Sequence, residues 1–266
     1  MVPTHAVSSA ACPPEPGAPL VVRTALVRGT ILRRYQRFLA EVRLDDGQRV
    51  TAHCTNTGSM QTCWEVGDEV LLEEAANPAR KLRYTWLACR RAGSWVGVET
   101  GMPNRVVYEA AVRGVLPGLP GLSEVRREVA YGAEKSRIDV YGRDPQGRAV
   151  YIEAKNTTLR EGAWGLFPDA VTARGAKHLR ELRKVAAAGE VAVAAFFVHR
   201  SDVTQFDTAR EIDAVYAEEL DLAAADGVRV LPLQVGLEAS LSAESASGER
   251  WQLTWTSCGL LPWVRR

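Results

Sequence analysis

Asp139, Glu153 and Lys155 are the residues of this 266-residue chain whose types and spacing carry the clearest chemistry. In Ile152-Glu153-Ala154-Lys155 the glutamate and lysine stand two apart, so on a strand they share one face while Ile152 and Ala154 turn into the sheet. The preceding run Ile138-Asp139-Val140 is separated from them by Arg143-Asp144-Pro145-Gln146-Gly147, a turn by composition. An antiparallel pair centred on Gln146 sets Asp139 opposite Glu153 and Tyr141 opposite Tyr151. Opposed residues have Cβ atoms about 4.5–5.5 Å apart, and two carboxylates that close repel unless a proton or cation lies between them. All-oxygen ligation with room for water favours Mg²⁺ (or Mn²⁺) on Asp139 and Glu153. A water polarised by that ion and steered by the Lys155 ammonium could attack a phosphodiester in line. Glu109, on the helix before the sheet, is a candidate fourth member. The plainer alternatives are a solvated strand face for Glu153 and Lys155 and an exposed helix charge for Glu109; the matching parity of Asp139 weighs against the first.

These residues need a scaffold, and the sequence supplies one. Pro103 to Arg113 reads as a helix with Pro at its start and Gly114 at its end. Strands follow at Val125 to Tyr131, Arg137 to Gly142 and Ala149 to Ala154. Ala170 to Ala188 is a helix with Leu179, Leu182, Val185 and Ala186 on one face and Gly189 as its stop. Val191 to Val198 is an unbroken apolar strand, followed by a helix over Ile212 to Ala225 and a strand over Val228 to Leu233. The first turns of the second helix carry Arg174, Lys177 and His178, cations that oppose the helix dipole. A phosphate bound at that helix N-terminus would compensate them; the alternatives are a solvent-facing basic patch and a hydrogen-bonded structural role for His178. The 235–266 tail, with Trp251, Trp255 and Trp263, reads as an extension of uncertain structure with a hint of strand in Arg250 to Trp255.

Upstream the rhythm is different. Short β runs at Leu20 to Leu26, Thr30 to Val42 around a Gly29 kink, Arg49 to His53, Glu69 to Glu74 and Leu82 to Ala88 predict a small oligonucleotide-binding (OB) type barrel. Its runs Arg33-Arg34-Tyr35-Gln36-Arg37-Phe38 and Arg80-Lys81-Leu82-Arg83-Tyr84 interleave cations with aromatics, which suits tracking a phosphate backbone and stacking bases. Arg33, Arg34, Tyr35, Arg37, Arg80 and Lys81 are therefore DNA-binding candidates beside Arg174, Lys177 and His178, although basic strands with inward aromatics are also ordinary barrel construction. The overall charge of +1 conceals an asymmetry: residues 21–92 hold 12 Lys or Arg against 8 Asp or Glu, and the remainder 21 against 24. The domain reading is a proline-rich leader at 1–19 expected to be disordered, an OB-like barrel at 20–92, an α/β domain at 93–234 and the extension at 235–266.

Five cysteines, Cys12, Cys54, Cys63, Cys89 and Cys258, are odd in number and contain no C-x-x-C pair, which argues against a disulfide framework or zinc knuckle. With no signal-peptide pattern, and no apolar run longer than Val191 to Val198, the expectation is a soluble cytoplasmic protein with no membrane partner.

The stretches Val50 to Met60, Asn77 to Leu82, Ser136 to Asp139, Glu153 to Asn156 and Phe167 to Leu179 resemble, in order, the sugar fermentation stimulation protein A family, and the similarity runs from about Leu20 to Gln234. The resemblance implies an OB-like N-terminal β-barrel followed by a restriction-endonuclease-like mixed α/β domain of the PD-(D/E)xK nuclease type. It also implies DNA binding linked to regulation of sugar metabolism genes. On that pattern Asp139 takes the first acidic position, Glu153 the second, Lys155 the lysine and Glu109 the helix position. Ile138 stands where the motif has Pro, and Pro168-Asp169 comes after Lys155, in the wrong order to begin it. The expectation is a DNA-binding protein with a Mg²⁺-dependent nuclease-type site. A non-catalytic DNA-binding regulator is the alternative, and a homodimer is left open. An enzyme acting on a small phosphorylated sugar finds no support in a glycine-rich phosphate loop.

Overall fold

The computed structural model describes residues 19–119, 121–132, 136–242 and 249–266, with the side chains of 257 and 258 left out. All but the last residue of the 1–19 leader therefore lies outside the described residues, as does Cys12. In chain order the elements are β1 (Val21–Tyr35), β2 (Leu39–Leu44), β3 (Arg49–His53), β4 (Glu69–Glu74), β5 (Tyr84–Arg91), β6 (Ser94–Gly97), α1 (Met102–Val112), β7 (Ser123–Tyr131), β8 (Ser136–Arg143), β9 (Ala149–Thr157), β10 (Leu159–Glu161), β11 (Trp164–Phe167), α2 (Ala173–Ala187), β12 (Val191–Val198), β13 (Gln205–Thr208), α3 (Ala214–Ala225), β14 (Arg229–Leu241) and β15 (Trp251–Leu260).

The second half of β1 pairs with both β2 and β4, and β2–β3–β5–β4 completes the circuit, so the N-terminal strands close into a five-stranded barrel. Closure removes the sheet edges that would otherwise be exposed. Ile31, Val42, Val70, Leu72 and Trp86 fill its core together with Cys54, Met60, Cys63 and Cys89. Gly29 sits where β1 crosses both neighbours: a Cβ there would lie 2.6 Å from the Arg43 carbonyl oxygen. The position that reads as a kink in sequence is thus a close approach inside one continuous strand. The break falls instead at Gln36 and Arg37, whose positive φ angles turn the β1–β2 hairpin. The barrel also continues past residue 92, because β5 and β6 form a hairpin with Arg91 opposite Ser94.

The C-terminal half is a mixed sheet covered on both faces. α1 buries Met102, Val106, Val107, Ala110 and Ala111 on one side, against Ile152, Val193, Phe197 and the barrel's Leu71 and Leu87. α2 and α3 bury Leu179, Leu182, Tyr216 and Leu220 on the other, against Phe196, Val198 and Ile138. Covering both faces explains why every residue of β12 is buried and why its sequence is apolar without alternation. β9 and β14 flank β12 in parallel, and β8 and β7 add antiparallel strands beyond β9.

The tail is not an appendage. β14 runs on to Leu241, and β15 pairs with β14 and with the first half of β1, from Val21↔Trp255 to Leu26↔Trp251. One long strand, β1, therefore belongs to both the barrel and the α/β sheet. Among the described residues no helix is long and apolar enough to cross a membrane.

Candidate metal centre

The β8–β9 ladder has the register expected from its turn, with Tyr141 opposite Tyr151, and ends at Val140↔Ile152. Just beyond, the side chain of Asp139 bridges the two strands: its Oδ2 accepts from the Ala154 backbone N–H at 2.7 Å. Its Oδ1 accepts from Asn104 Nδ2 at 2.6 Å, so α1 fixes the other edge of the carboxylate. Glu153 is 3% exposed. Its Oε1 accepts from Lys155 Nζ at 2.7 Å and pairs with His178 Nδ1 on α2, while Oε2 is buried with no hydrogen-bond partner. Arg174 Nε donates to His178 Nε2 at 3.3 Å, which leaves Nδ1 to carry the imidazole proton toward Glu153. Asn104, Asp139, Glu153, Arg174 and His178 line a cleft of about 560 Å³ whose walls also include Glu128, Arg137 and Lys177.

Electrostatics follow from this crowding. Burial, then the neighbouring Glu153 charge, pushes the Asp139 carboxyl up to about 7. Burial also acts to raise Glu153, but the Lys155 ammonium and the His178 hydrogen bond outweigh it and hold Glu153 below the usual carboxylate range. An aspartate of raised pKa beside a glutamate with an orphaned buried oxygen is a donor set that could accept a divalent cation. Among the described residues no three His, Cys, Asp or Glu side chains converge as a ligand group. A cation on Asp139 and Glu153 would therefore keep most of its shell as water, a habit of Mg²⁺ rather than of Zn²⁺.

The structure brings Asp139, Glu153 and Lys155 together, and with them the DNA-binding candidates Arg174, Lys177 and His178. Glu109 is not among them: it pairs with Arg113 at 3.7 Å on α1, and the residue α1 sends into the cleft is Asn104, five positions earlier and on a different side of the helix. Of the residues at the start of α2, His178 finds its partner within the chain in Glu153, and Arg174 donates to His178. In the barrel, Arg34 is committed to structure, donating from Nη2 to the carbonyls of Asn56 and Gly58 at 2.9 Å each. Arg33 pairs with Glu41 at 2.5 Å and lies over the Tyr35 ring, and Arg80 donates to Thr85 Oγ1 at 3.1 Å. Arg37 and Lys81 are exposed. Asn104, Glu128 and Arg137 were not foreseen. Glu128 could have been found by register, because Arg127↔Val140 and Val129↔Ile138 set it opposite Asp139.

Comparison with known proteins agrees with both halves of this architecture. Residues 32–98 match the family model described as the SfsA N-terminal OB domain, and residues 101–240 match the Sugar fermentation stimulation protein RE domain. The chain belongs to the sugar fermentation stimulation protein family. Homologues of that name from Gloeobacter violaceus and Geobacter metallireducens are 47% and 49% identical over 78% of this chain, covering 87% and 89% of their own lengths. The chain is also similar to a solved structure, that of Pyrococcus furiosus SfsA in complex with Ca²⁺, with a TM-score of 0.79 and 27% identity over 94% of this chain and 100% of that one. The family's two domains are the OB barrel and the mixed α/β domain described above, and Asn104, Asp139, Glu153 and Lys155 all fall within the second.

Proposed function

We propose that this member of the sugar fermentation stimulation family is a DNA-binding protein whose α/β domain holds a Mg²⁺ or Mn²⁺ ion on Asp139 and Glu153 and can hydrolyse phosphodiester bonds. The observation that carries the reading is the buried, partnerless Oε2 of Glu153 beside an aspartate of raised pKa in an open cleft with cationic walls. The Pyrococcus furiosus relative's complex with Ca²⁺, a hard oxygen-seeking cation, supports the same choice of ligand class here. When bound, the cation supplies positive charge at a phosphoryl oxygen and lowers the pKa of a water. Asp139, held by Asn104 and the Ala154 N–H, and Glu153, held by Lys155 and His178, keep their remaining lone pairs for the ion. Lys155 places an ammonium 2.7 Å from Glu153, where it offsets charge that builds on an attacking oxygen. Arg137 and Arg174, on the cleft walls, are placed to engage the flanking phosphates, and the exposed Arg37 and Lys81 extend that contact onto the barrel.

A non-catalytic regulator using the same surface is the second reading, favoured by the internal commitment of Lys155 to Glu153. Incubating the protein with linear and supercoiled DNA in Mg²⁺, Mn²⁺ or EDTA separates the two. Cleavage that needs metal and is lost in Lys155→Ala supports the enzyme; DNA shifted in a gel by both proteins but never cut supports the regulator.

A further inference from the structure

The two walls of the cleft begin on separate helices, yet one barrel loop touches the start of both. On the α1 side, Thr100 precedes the helix that carries Asn104; its N–H donates to Thr55 Oγ1 at 3.2 Å and its hydroxyl to the Thr55 carbonyl at 3.4 Å. On the α2 side, Asp169 lies three residues before the helix N-cap Thr172. Its Oδ2 accepts from the Met60 N–H at 3.1 Å and from Ser59 Oγ at 3.3 Å. The loop between these contacts is held from the barrel side. Arg34 binds the carbonyls of Asn56, Gly58 and Ser59, and Cys54 and Met60 root its two ends in the barrel core. Contact with Asp169 is close enough that a Cβ on Gly58 would have to push its carboxylate aside, lying 2.6 and 2.9 Å from the two Asp169 oxygens.

We infer that the barrel loop 55–60 is a brace that sets the spacing of the cleft walls, with Arg34 and Asp169 as positioning residues for the metal centre. Through Thr100 and Asn104 the loop locates Asp139; through Asp169 and α2 it locates His178 and hence Glu153. Whatever moves the barrel's β1–β2 hairpin, from which Arg34 reaches, then alters metal affinity in the other domain. The inference rests on reading Asp139 and Glu153 as the metal ligands.

Calorimetric titration of the full chain with Mn²⁺ alone tests it. Loss of an outer contact that orients ligands commonly weakens metal affinity by about tenfold or more. Asp169→Ala and Gly58→Ala should each do so. Asp169→Asn, which keeps an acceptor oxygen, should stay close to wild type. Asp207→Ala is the control for plain destabilisation: it loses the bonds from Trp263 Nε1 and the Arg266 N–H without touching the brace, and should bind Mn²⁺ normally. Wild-type affinity in both Asp169→Ala and Gly58→Ala, or equal weakening in Asp207→Ala, overturns the brace. Asp139→Asn separates the two levels of the claim. If it abolishes binding while the brace variants do not weaken it, only the brace fails; if it binds like wild type, the metal reading and the brace fall together.

Discussion

Asp139 and Glu153 differ in environment more than their shared chemistry suggests. Glu153 has a lysine and a histidine against it; for Asp139, burial and then the neighbouring Glu153 charge oppose ionisation more than its neutral N–H donors favour it. A carboxyl with a folded pKa near 7 and an ordinary unfolded value binds more protons when folded. Its contribution to stability therefore falls as pH rises from about 4 to about 7 and levels off above. In EDTA, Asp139→Asn should come close to wild type in thermal stability at or below about pH 4 and exceed it increasingly up to about pH 7. A wild-type advantage at pH 8 would show that Asp139 ionises without cost. Glu153→Gln behaves differently, because it strands the Lys155 ammonium beside a neutral group; urea denaturation should show a loss of about 3 kcal/mol or more, and no loss would mean that the buried pair contributes nothing. The central trio was legible in sequence because a strand fixes side-chain direction by parity and a short turn fixes register. Asn104 was not, since an asparagine in the first turn of a helix carries no mark of the strand it will meet. Glu109 misled because an acidic residue on the right helix says nothing of which side of that helix faces the cleft.

At the level of elements, most strands and all three helices were readable from periodicity and punctuation, and β12 most clearly, as eight apolar residues with a glycine before them. The failures have two causes. β10, β11 and β13 are only three or four residues long, too short for alternation to register, and β1 was divided at Gly29 because glycine in a strand run usually signals a bend. Gly29 is needed for clearance instead, so Gly29→Ala should cost roughly 1–3 kcal/mol by urea denaturation; an unchanged midpoint would mean that β1 and β2 part freely there. Phe196→Ala, in the middle of β12 between Phe167 and Phe206, should cost about 3–5 kcal/mol in the same assay, and a loss under 1 kcal/mol would contradict the close packing of that core.

For the whole molecule, the barrel and the α/β sheet are fastened by β1 and β15, and this was hidden from sequence because the pairing joins the two ends of the chain. Only the alternation near Trp251 and Trp255 hinted at it. Ending the chain after Leu241 removes β15, exposes the partners of Trp255 and leaves β1 and β14 each with an unpaired edge where β15 had joined them; the shortened protein should aggregate or lose cooperative unfolding, whereas a soluble, cooperatively folded product would make the tail dispensable. If DNA lies across cations of both domains, its affinity should fall steeply with salt, the logarithm of affinity dropping with log salt by about 0.9 per phosphate contacted. A flat dependence in a binding titration would remove nucleic acid as the ligand. The most direct test of the metal centre is a crystal of the protein grown with Mn²⁺ and measured for anomalous scattering. The expected result is a peak between the Asp139 and Glu153 carboxylates, within direct coordination distance of Glu153 Oε2 and lost in Asp139→Asn. A cleft with no peak at saturating Mn²⁺, or a peak held by other residues, would contradict it.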